Sequence, residues 1–338
     1  MPAVSLEFAV AGFVMAAIVI AAAGIRMADI ADRLADRTGL GEAVVGGLLL
    51  GMSTSLSGLV TSITAAVDGS VSLAVSNAVG GIAAQTVFLV VADIVYREIN
   101  LEHAAADEKH MLQAAVLLLM LSLPLVAYLA PAYAIWGIHP VTMIMVGLYA
   151  FGANAAFRLQ RNPMWQPSVT PYTAKDEPAA EAQKESLQAL SLTFAGLAVI
   201  LALAGFVIAR TGIQIASEFG ISQTVVGALL TAVATSLPEL VTTIAAVRQG
   251  ALQLAVGGIV GGNVFDVLFL AVSDAFYRDG PLYTAMAQRD ALMIISAILI
   301  TGVLLLGLIM RDRRGIGIEG YAILIVYASV VALQIGLG

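Results

Sequence analysis

The fold is decided by a polar stretch in the middle of an apolar run, Ala234-Thr235-Ser236-Leu237-Pro238-Glu239-Leu240. Pro238 lacks a backbone donor and clashes with the preceding turn, so a helix through this stretch must kink or open there. Carbonyl groups freed at membrane depth are tolerated where they line a cavity. A carboxylate such as Glu239 is costly at that depth unless it is paired, protonated or ion-bound. The stretch therefore predicts a broken membrane helix with a functional centre at the break.

The composition places the whole chain in a membrane. Of 338 residues, 60% are hydrophobic and only 12% are charged, and the mean hydropathy is +0.95. A soluble protein carries about 25% charged residues, so these values exclude a soluble enzyme. The net charge of −7 gives no basic face for nucleic acid. The absence of cysteine excludes a disulfide scaffold, a zinc finger and a thiol nucleophile.

Continuous apolar runs predict an all-α membrane protein with ten spans, since about 20 apolar residues are needed to cross the hydrocarbon core. The first run lacks the basic region of a signal peptide and is followed by further spans, so we expect it to be retained. The loops contain neither a nucleophile–base pair nor a phosphate-binding loop, so the sequence gives no indication of an enzyme. The predicted spans are residues 8–25, 43–67, 73–92, 111–130, 140–156, 187–209, 225–247, 252–272, 291–310 and 321–337.

Lys and Arg predict the orientation, because cytoplasmic loops carry an excess of them. With the N-terminus outside, thirteen of the sixteen fall in inside loops and three, Arg210, Arg278 and Arg289, fall outside. The expected membrane is the cell membrane, which is the inner membrane of a prokaryote. Both termini are expected on its outer side. Residues 162–186 form a polar segment with four prolines and are expected to be a cytoplasmic linker.

An internal repeat divides the chain. Shifting the sequence by 181 residues aligns 39–97 with 220–278 without a gap, and 27 of the 59 positions are identical. The prediction is a first five-helix repeat at 1–161, a linker at 162–186 and a second five-helix repeat at 187–338. Because five is odd, the two repeats insert with opposite topology, and inverted repeats with interrupted helices indicate a secondary transporter.

A second polar motif lies one helix after the first, Gly257-Gly258-Ile259-Val260-Gly261-Gly262-Asn263-Val264-Phe265-Asp266. Its glycines allow close helix approach, and Asp266 is a second carboxylate at membrane depth. Carboxylate, hydroxyl and carbonyl oxygens without His or Cys are the ligands of a hard cation. The Asp93 and Asp274 positions, near two helix ends, are expected to be charge anchors at the membrane interface.

The pair of motifs at 235–239 and 261–266 resembles the second repeat of the cation/calcium exchanger superfamily, the sodium/calcium exchangers and their prokaryotic relatives. The resemblance covers nearly the whole chain. It implies that the glutamates of paired Thr-Ser-x-Pro-Glu motifs bind calcium or sodium at the centre, with hydroxyl and carbonyl oxygens around them. The ligands it implies in this repeat are Glu239, Asp266, Thr235 and Ser236.

The first repeat departs from that pattern. Thr54 and Ser55 remain, but Ser57-Gly58 stands where the family has Pro-Glu, and Gln85 stands opposite Asp266. The resemblance implies Thr54, Ser55 and Gln85 as the contributions of this repeat to the metal site.

The leading functional hypothesis is a secondary antiporter that exchanges a small cation, Ca²⁺ or another divalent, against Na⁺ or H⁺ by alternating access. No cofactor is expected besides the transported cation, and the expected partners are small inorganic cations and the lipid bilayer. The oligomeric state is left open, with a monomer as one possibility. Two alternatives stand beside it. One is transport of a larger solute, such as an organic cation, in the space vacated at Gly58; the other is a non-transporting sensor or scaffold that keeps one ion site.

Charge counting sharpens the leading hypothesis. Glu239 and Asp266 give the core a maximum charge of −2, which one divalent cation, two monovalent cations or two protons would neutralise. We therefore expect electroneutral exchange rather than a three-for-one exchange of sodium for calcium.

Overall fold

The computed structural model describes residues 5–38, 51–96, 98–161, 168, 186–311 and 316–336, which are mostly helical. Eight of the helices are long and apolar enough to cross a membrane, and two further helices that meet at a bend make a ninth candidate span. Within these ranges there is no strand, only an isolated bridge between Ile135 and Ile138. The predicted all-α membrane architecture is confirmed. The count of ten spans stays a prediction, because the run at 43–67 lies partly outside the described residues.

The predicted spans fall on helices of the structure wherever their residues are described, and most of these helices extend beyond the predicted bounds. The helices are α1 (Leu6–Thr38), α2 (Gly51–Thr54), α3 (Leu56–Val67), α4 (Val71–Tyr96), α5 (Leu101–Ala104), α6 (Glu108–Leu129), α7 (Pro140–Arg161), α8 (Leu187–Phe219), α9 (Gln223–Thr235, with a π turn at Val226–Thr231), α10 (Leu237–Gln249), α11 (Leu252–Asp266), α12 (Leu268–Phe276), α13 (Gln288–Met310) and α14 (Ile318–Gly336).

Local chemistry explains where several helices begin and end. The side chain of Asp107 accepts a hydrogen bond from the Lys109 amide at 2.8 Å and caps the start of α6. Gly220, at φ 64°, ends α8 in the left-handed conformation that glycine adopts without a steric penalty. Helix ends are thus fixed by residues in the connections rather than by loss of apolar character.

The helix break predicted at Pro238 is confirmed. Helices α9 and α10 meet at Ser236 with a bend of 46°, because the proline has no amide hydrogen to continue the helical ladder. A second interruption lies at Ser55, between α2 and α3. At Val267 the backbone keeps helical angles and the amide donates to the Asn263 carbonyl at 3.3 Å, so α11 and α12 form one continuous span. Among the described residues, the two interruptions therefore lie at the two Thr-Ser motifs.

Packing brings these interruptions into the middle of the bundle. Helix α4 and the span formed by α11 and α12 are the most deeply buried of the candidate spans, and both pack against α10. A Cβ atom at Gly80 would lie 2.7 Å from the Cα of Ala228, so α4 and α9 touch backbone to backbone. The long helices α1 and α8 pack along each other and against α10 and α3, respectively. Most of the predicted linker lies outside the described residues, so the division into two five-helix repeats stays a prediction.

Candidate cation-binding site

Glu239 lies directly after the bend, at the third position of α10. Its side chain is buried, and its Oε1 atom accepts a hydrogen bond of 3.5 Å from the Ser55 hydroxyl on the other interrupted helix. The first turn of a helix carries a partial positive charge, which stabilises a carboxylate. The break created by Pro238 thus provides a favourable position for a negative charge in an otherwise apolar bundle.

Asp266 is the last residue of α11 and lies near the middle of the continuous span that α11 and α12 form. The amide nitrogen of Gln85 donates to Asp266 Oδ2 at 2.7 Å and to the Ser236 hydroxyl at 3.2 Å. Gln85 and Asp266 are themselves related by the 181-residue offset. Asp266 is also close enough to Glu239 for the two charges to repel each other. The structure therefore gathers the side chains of Ser55, Gln85, Ser236, Glu239 and Asp266 from different interrupted or central helices.

Several buried oxygen atoms in this cluster have no hydrogen-bond partner among the described residues. Buried polar atoms in proteins nearly always have one. Within the described part of the chain, neither Glu239 nor Asp266 forms a salt bridge with Lys or Arg, and no group of three or more His, Asp or Glu residues forms a metal cluster. The atoms are Glu239 Oε2, Asp266 Oδ1, Gln85 Oε1 and Asn263 Oδ1. Two carboxylates with amide and hydroxyl oxygens make an all-oxygen ligand set for one hard cation, and the total charge of these ligands is at most −2.

The hydroxyl groups of the two remaining predicted site residues, Thr54 and Thr235, each donate to a carbonyl group of their own helix. Thr235 donates its hydroxyl hydrogen to the Thr231 carbonyl of its own helix at 2.9 Å. Thr54 likewise donates to the Gly51 carbonyl at 3.2 Å, and it lines the same cleft as Glu239. Thr54 is thus placed beside the carboxylate cluster, whereas Thr235 faces the first repeat at Gly58.

A cleft of about 270 Å³ leads to Glu239 from one end of the bundle. It reaches from the site to Asp29 on α1 and Gln249 at the end of α10. Asp29 is ion-paired with Arg26 at 2.8 Å and with Arg33 at 3.4 Å, so the cleft mouth carries charged side chains of both signs. Among the described residues that line the cleft there is no Lys or Arg. This end of the bundle is the one that the Lys and Arg distribution predicts to be cytoplasmic.

The space expected at Gly58 is filled. A Cβ atom at Gly58 would lie 2.9 Å from Cε2 of the Phe269 ring and 3.5 Å from its Cζ atom. Phe269 is buried and packs edge-on against Phe265, with ring centroids 6.0 Å apart. The missing carboxylate of the first repeat therefore leaves no cavity, and the room invoked for a larger solute is taken by an aromatic ring.

Sequence reasoning missed part of the polar network around the site. Asn77 donates to the Gly58 carbonyl at 3.1 Å and accepts from the Thr231 hydroxyl at 2.8 Å. Asn263 donates to the Thr86 hydroxyl at 3.3 Å. Asn263 lies in the glycine-rich motif at 257–266, and Asn77 lies in the corresponding stretch of the first repeat, Ser76-Asn77-Ala78-Val79-Gly80-Gly81, so an amide in each stretch was the available signal.

Known proteins resemble the chain in sequence along most of its length. A family model described as "Sodium/calcium exchanger protein" matches residues 8–156 and 189–336. The protein named "Putative antiporter CaxA" of Alkalimonas amylolytica is 26% identical over 298 residues, which are 88% of this chain and 89% of that protein. "Sodium/calcium exchanger MaX1" of Methanosarcina acetivorans is 40% identical over 88 residues, about a quarter of each chain.

Two solved structures have the same fold. The sodium-calcium exchanger NCX_Mj, soaked with 100 mM Na⁺ and 10 mM Sr²⁺, has a TM-score of 0.64 and 19% identity, covering 97% of this chain and 99% of that one. The H⁺/Ca²⁺ exchanger CAX has a TM-score of 0.71 and 13% identity, covering 97% and 86%. At such identities the likeness is one of fold alone.

Proposed function

The chain belongs to the sodium/calcium exchanger family, and from that premise we propose that it is a secondary antiporter of a small cation. In this proposal Ca²⁺ or another divalent cation crosses the membrane against Na⁺ or H⁺ by alternating access. The observation that carries the proposal is the group of buried, unpartnered oxygen atoms on Glu239, Asp266 and Gln85 at the helix breaks. A buried carboxylate pair without a cationic partner is unfavourable until a cation or protons neutralise it.

The proposed ligands are the side chains gathered at the breaks, with Thr54 and Thr235 contributing through oxygens that already donate within their own helices. Glu239 and Asp266 supply the charge, and Ser55, Ser236 and Gln85 supply neutral oxygens. A hard divalent cation prefers such an all-oxygen set. Its two charges match the core charge of −2, so the return step carries two monovalent cations or two protons and the exchange is electroneutral.

The proposed topology has ten spans in two inverted five-helix repeats with both termini outside. The cleft from Glu239 then opens to the cytoplasm, and the conformation is the inward-open one. Because the native chain has no cysteine, single cysteines test this directly. S168C should react with a membrane-impermeant maleimide only from the cytoplasmic side, and T284C only from the outside; the reverse pattern would reject the orientation.

The function is tested by flux in proteoliposomes that contain the purified protein. Uptake of Ca²⁺, Sr²⁺, Ba²⁺ and Mn²⁺ is measured against outward gradients of Na⁺ or H⁺, at several pH values. We expect gradient-dependent divalent uptake that falls as pH drops, because protons compete for the same carboxylates. Clamping the membrane potential with K⁺ and valinomycin should change the uptake little. Strong dependence on potential would contradict the charge count.

The outcome also separates the alternatives. Equilibrium binding of Ca²⁺ without flux under any gradient would point to a non-transporting relative that keeps one ion site. Transport of an organic cation without transport of any metal ion would point to the larger-solute alternative, although the Phe269 ring at Gly58 leaves it no added space.

A further inference from the structure

Position 58 is one of the two positions of the candidate site at which the related regions differ in charge. The 181-residue offset pairs Gly58 with Glu239, while the flanking residues Leu56 and Leu59 are identical to Leu237 and Leu240. The first repeat thus keeps the helix that would carry a second glutamate and lacks the side chain. In a close-packed interior such a loss leaves a cavity unless another side chain fills it.

Phe269 is the side chain that fills it. Its ring lies 2.9 Å from a Cβ atom built at Gly58, closer than real Cβ contacts come. The residue follows Asp266 by three positions in the continuous span that α11 and α12 form, so the packing of this one span places both side chains. Phe265 and Tyr149 extend the aromatic packing behind it, with Phe265 and Tyr149 centroids 6.1 Å apart. The ring therefore has little freedom to withdraw.

The filling changes what the site can hold. Oxygen atoms face the centre from Glu239, Asp266, Ser55 and Gln85. The side of Gly58 presents chiefly the aromatic carbon of Phe269, and the nearby Thr235 hydroxyl donates within its own helix. An apolar wall cannot replace the hydration shell of a cation, so a cation beside it would lack ligands.

We infer that Phe269 is a specificity-determining residue, which closes the second carboxylate position and limits the site to one divalent cation or two monovalent charges. The inference rests on the proposed antiport function and concerns the same site. It predicts that positions 58 and 269 are energetically coupled, and that a carboxylate at position 58 is accommodated only when the ring is made smaller.

The experiment is a double-mutant cycle with G58E, F269A and the combined variant, reconstituted in proteoliposomes. F88A is the matched control, because Phe88 is the residue related to Phe269 by the offset and is also buried. We expect G58E alone to lose flux by about tenfold or more, and F269A to restore at least about fivefold of that loss, since coupled neighbours are non-additive. F88A should not restore G58E. Flux of the F269A/G58E variant should also become sensitive to an imposed membrane potential, because the core charge rises to −3.

A second cycle keeps the inference decidable if the larger changes prevent folding. G58A and F269L alter the same contact with less loss of volume, and their coupling is measured by thermal unfolding as well as by flux. Wild-type flux of G58E, or additive effects of G58A and F269L in both measurements, would overturn the role of Phe269. An absence of wild-type flux would instead refute the antiport function, while the unfolding cycle would still report on the contact between positions 58 and 269.

Discussion

Residues 51–96 and the region from Gln223 to Phe276 each contain one interrupted helix followed by a long buried span, but the two regions differ in charge. The breaks at Ser55 and Ser236 are related by the 181-residue offset, and Gly69 and Gly250 follow them with φ values of 74° and 81°. Yet the first region has Gly58 and Gln85 where the second has Glu239 and Asp266. The backbone frame is thus shared, while the core carboxylates stand on one side of it.

A further shared feature shows what holds that frame. Asp93 Oδ1 accepts from the Leu101 amide at 2.7 Å, and Asp274 Oδ1 accepts from the Leu282 amide at 2.7 Å. Both aspartates are buried, so they cap the chain after each helix rather than serving as exposed anchors at the membrane interface, which was the expectation from sequence. Both regions therefore contain the aspartate that stabilises the fold, whereas the carboxylates of the candidate site, Glu239 and Asp266, occur in the second region alone.

The largest expected effect comes from removing the charge that the first region lacks. We expect E239Q to abolish cation flux, a loss of roughly 100-fold or more, because a neutral amide leaves one charge of a divalent cation without a counter-charge in the buried site, and about 3 kcal/mol of lost binding corresponds to about 100-fold. The amide keeps the volume of the side chain, so expression and the elution profile should be unchanged. E218Q makes the same chemical change at an exposed glutamate and should transport normally. Near-normal flux by E239Q would take this residue out of the mechanism.

The pair Gln85 and Asp266 gives the next largest effect, since these two residues are related by the 181-residue offset and their side chains are hydrogen-bonded to each other at 2.7 Å. D266N should raise the Ca²⁺ concentration for half-maximal flux by about 10- to 100-fold, which corresponds to the roughly 1.5–3 kcal/mol of a charge-assisted hydrogen bond. D279N, at an exposed position of the same region, is the control. An unchanged half-saturation in D266N would leave Glu239 as the sole charged ligand.

Most of the helical frame could be predicted from the sequence, because apolar runs and Pro238 act through local physics. The broken helix, the two motifs and the family resemblance all followed from residues adjacent in the chain. The ring of Phe269 against Gly58 could not be predicted, since it depends on how α12 packs beside α3. The same holds for the amide of Gln85 on Asp266, whose proximity was suggested by the offset but whose hydrogen bond required the folded arrangement.

Two glycines allow a smaller perturbation of each region separately. Gly24 on α1 lies against Pro238 and Gly205 on α8 lies against the Ser57 backbone, so an added methyl group would overlap both neighbours. These contacts are also related by the offset. We expect G24A to slow flux more than G205A, because Pro238 adjoins Glu239, whereas G205A should chiefly lower stability, by about 1–3 kcal/mol.

The controls for these variants are G12A and G196A on the same two helices. A methyl group at Gly12 would make an ordinary 3.5 Å contact with Thr211, and one at Gly196 would meet nothing within 4 Å. Flux and thermal unfolding are measured for all four proteins. Equal effects of G24A and G205A on flux would show that both regions bear on the site alike, despite their unequal charge.

The smallest effect is expected where the two aspartate caps differ in their neighbours. The residue after Leu282 is Tyr283, whose hydroxyl lies 3.1 Å from that of Thr142, while Thr142 donates to Asp274. The residue after Leu101 is Glu102, which lies outside the membrane-spanning helices. Burial, reinforced by the negative charges of Asp93 and Glu319, raises the pKa of Glu102 to about 8.

A carboxyl group whose pKa is higher in the folded protein binds a proton more tightly there than in the unfolded chain. Its contribution to stability is therefore complete at low pH and is lost as pH rises toward and past about 8. The melting temperature of the detergent-solubilised protein should fall between pH 7 and pH 9, and E102Q should remove about 2–4 °C of that fall, the shift expected for about 1 kcal/mol in a protein of more than 150 residues. E98Q, at an exposed neighbouring glutamate, should leave the pH dependence as it is in the wild type. If the melting temperatures of E102Q and the wild type change in parallel across this range, Glu102 does not hold a proton in the folded protein. The surroundings of Asp93 and Asp274 would then differ in composition without differing in their response to pH.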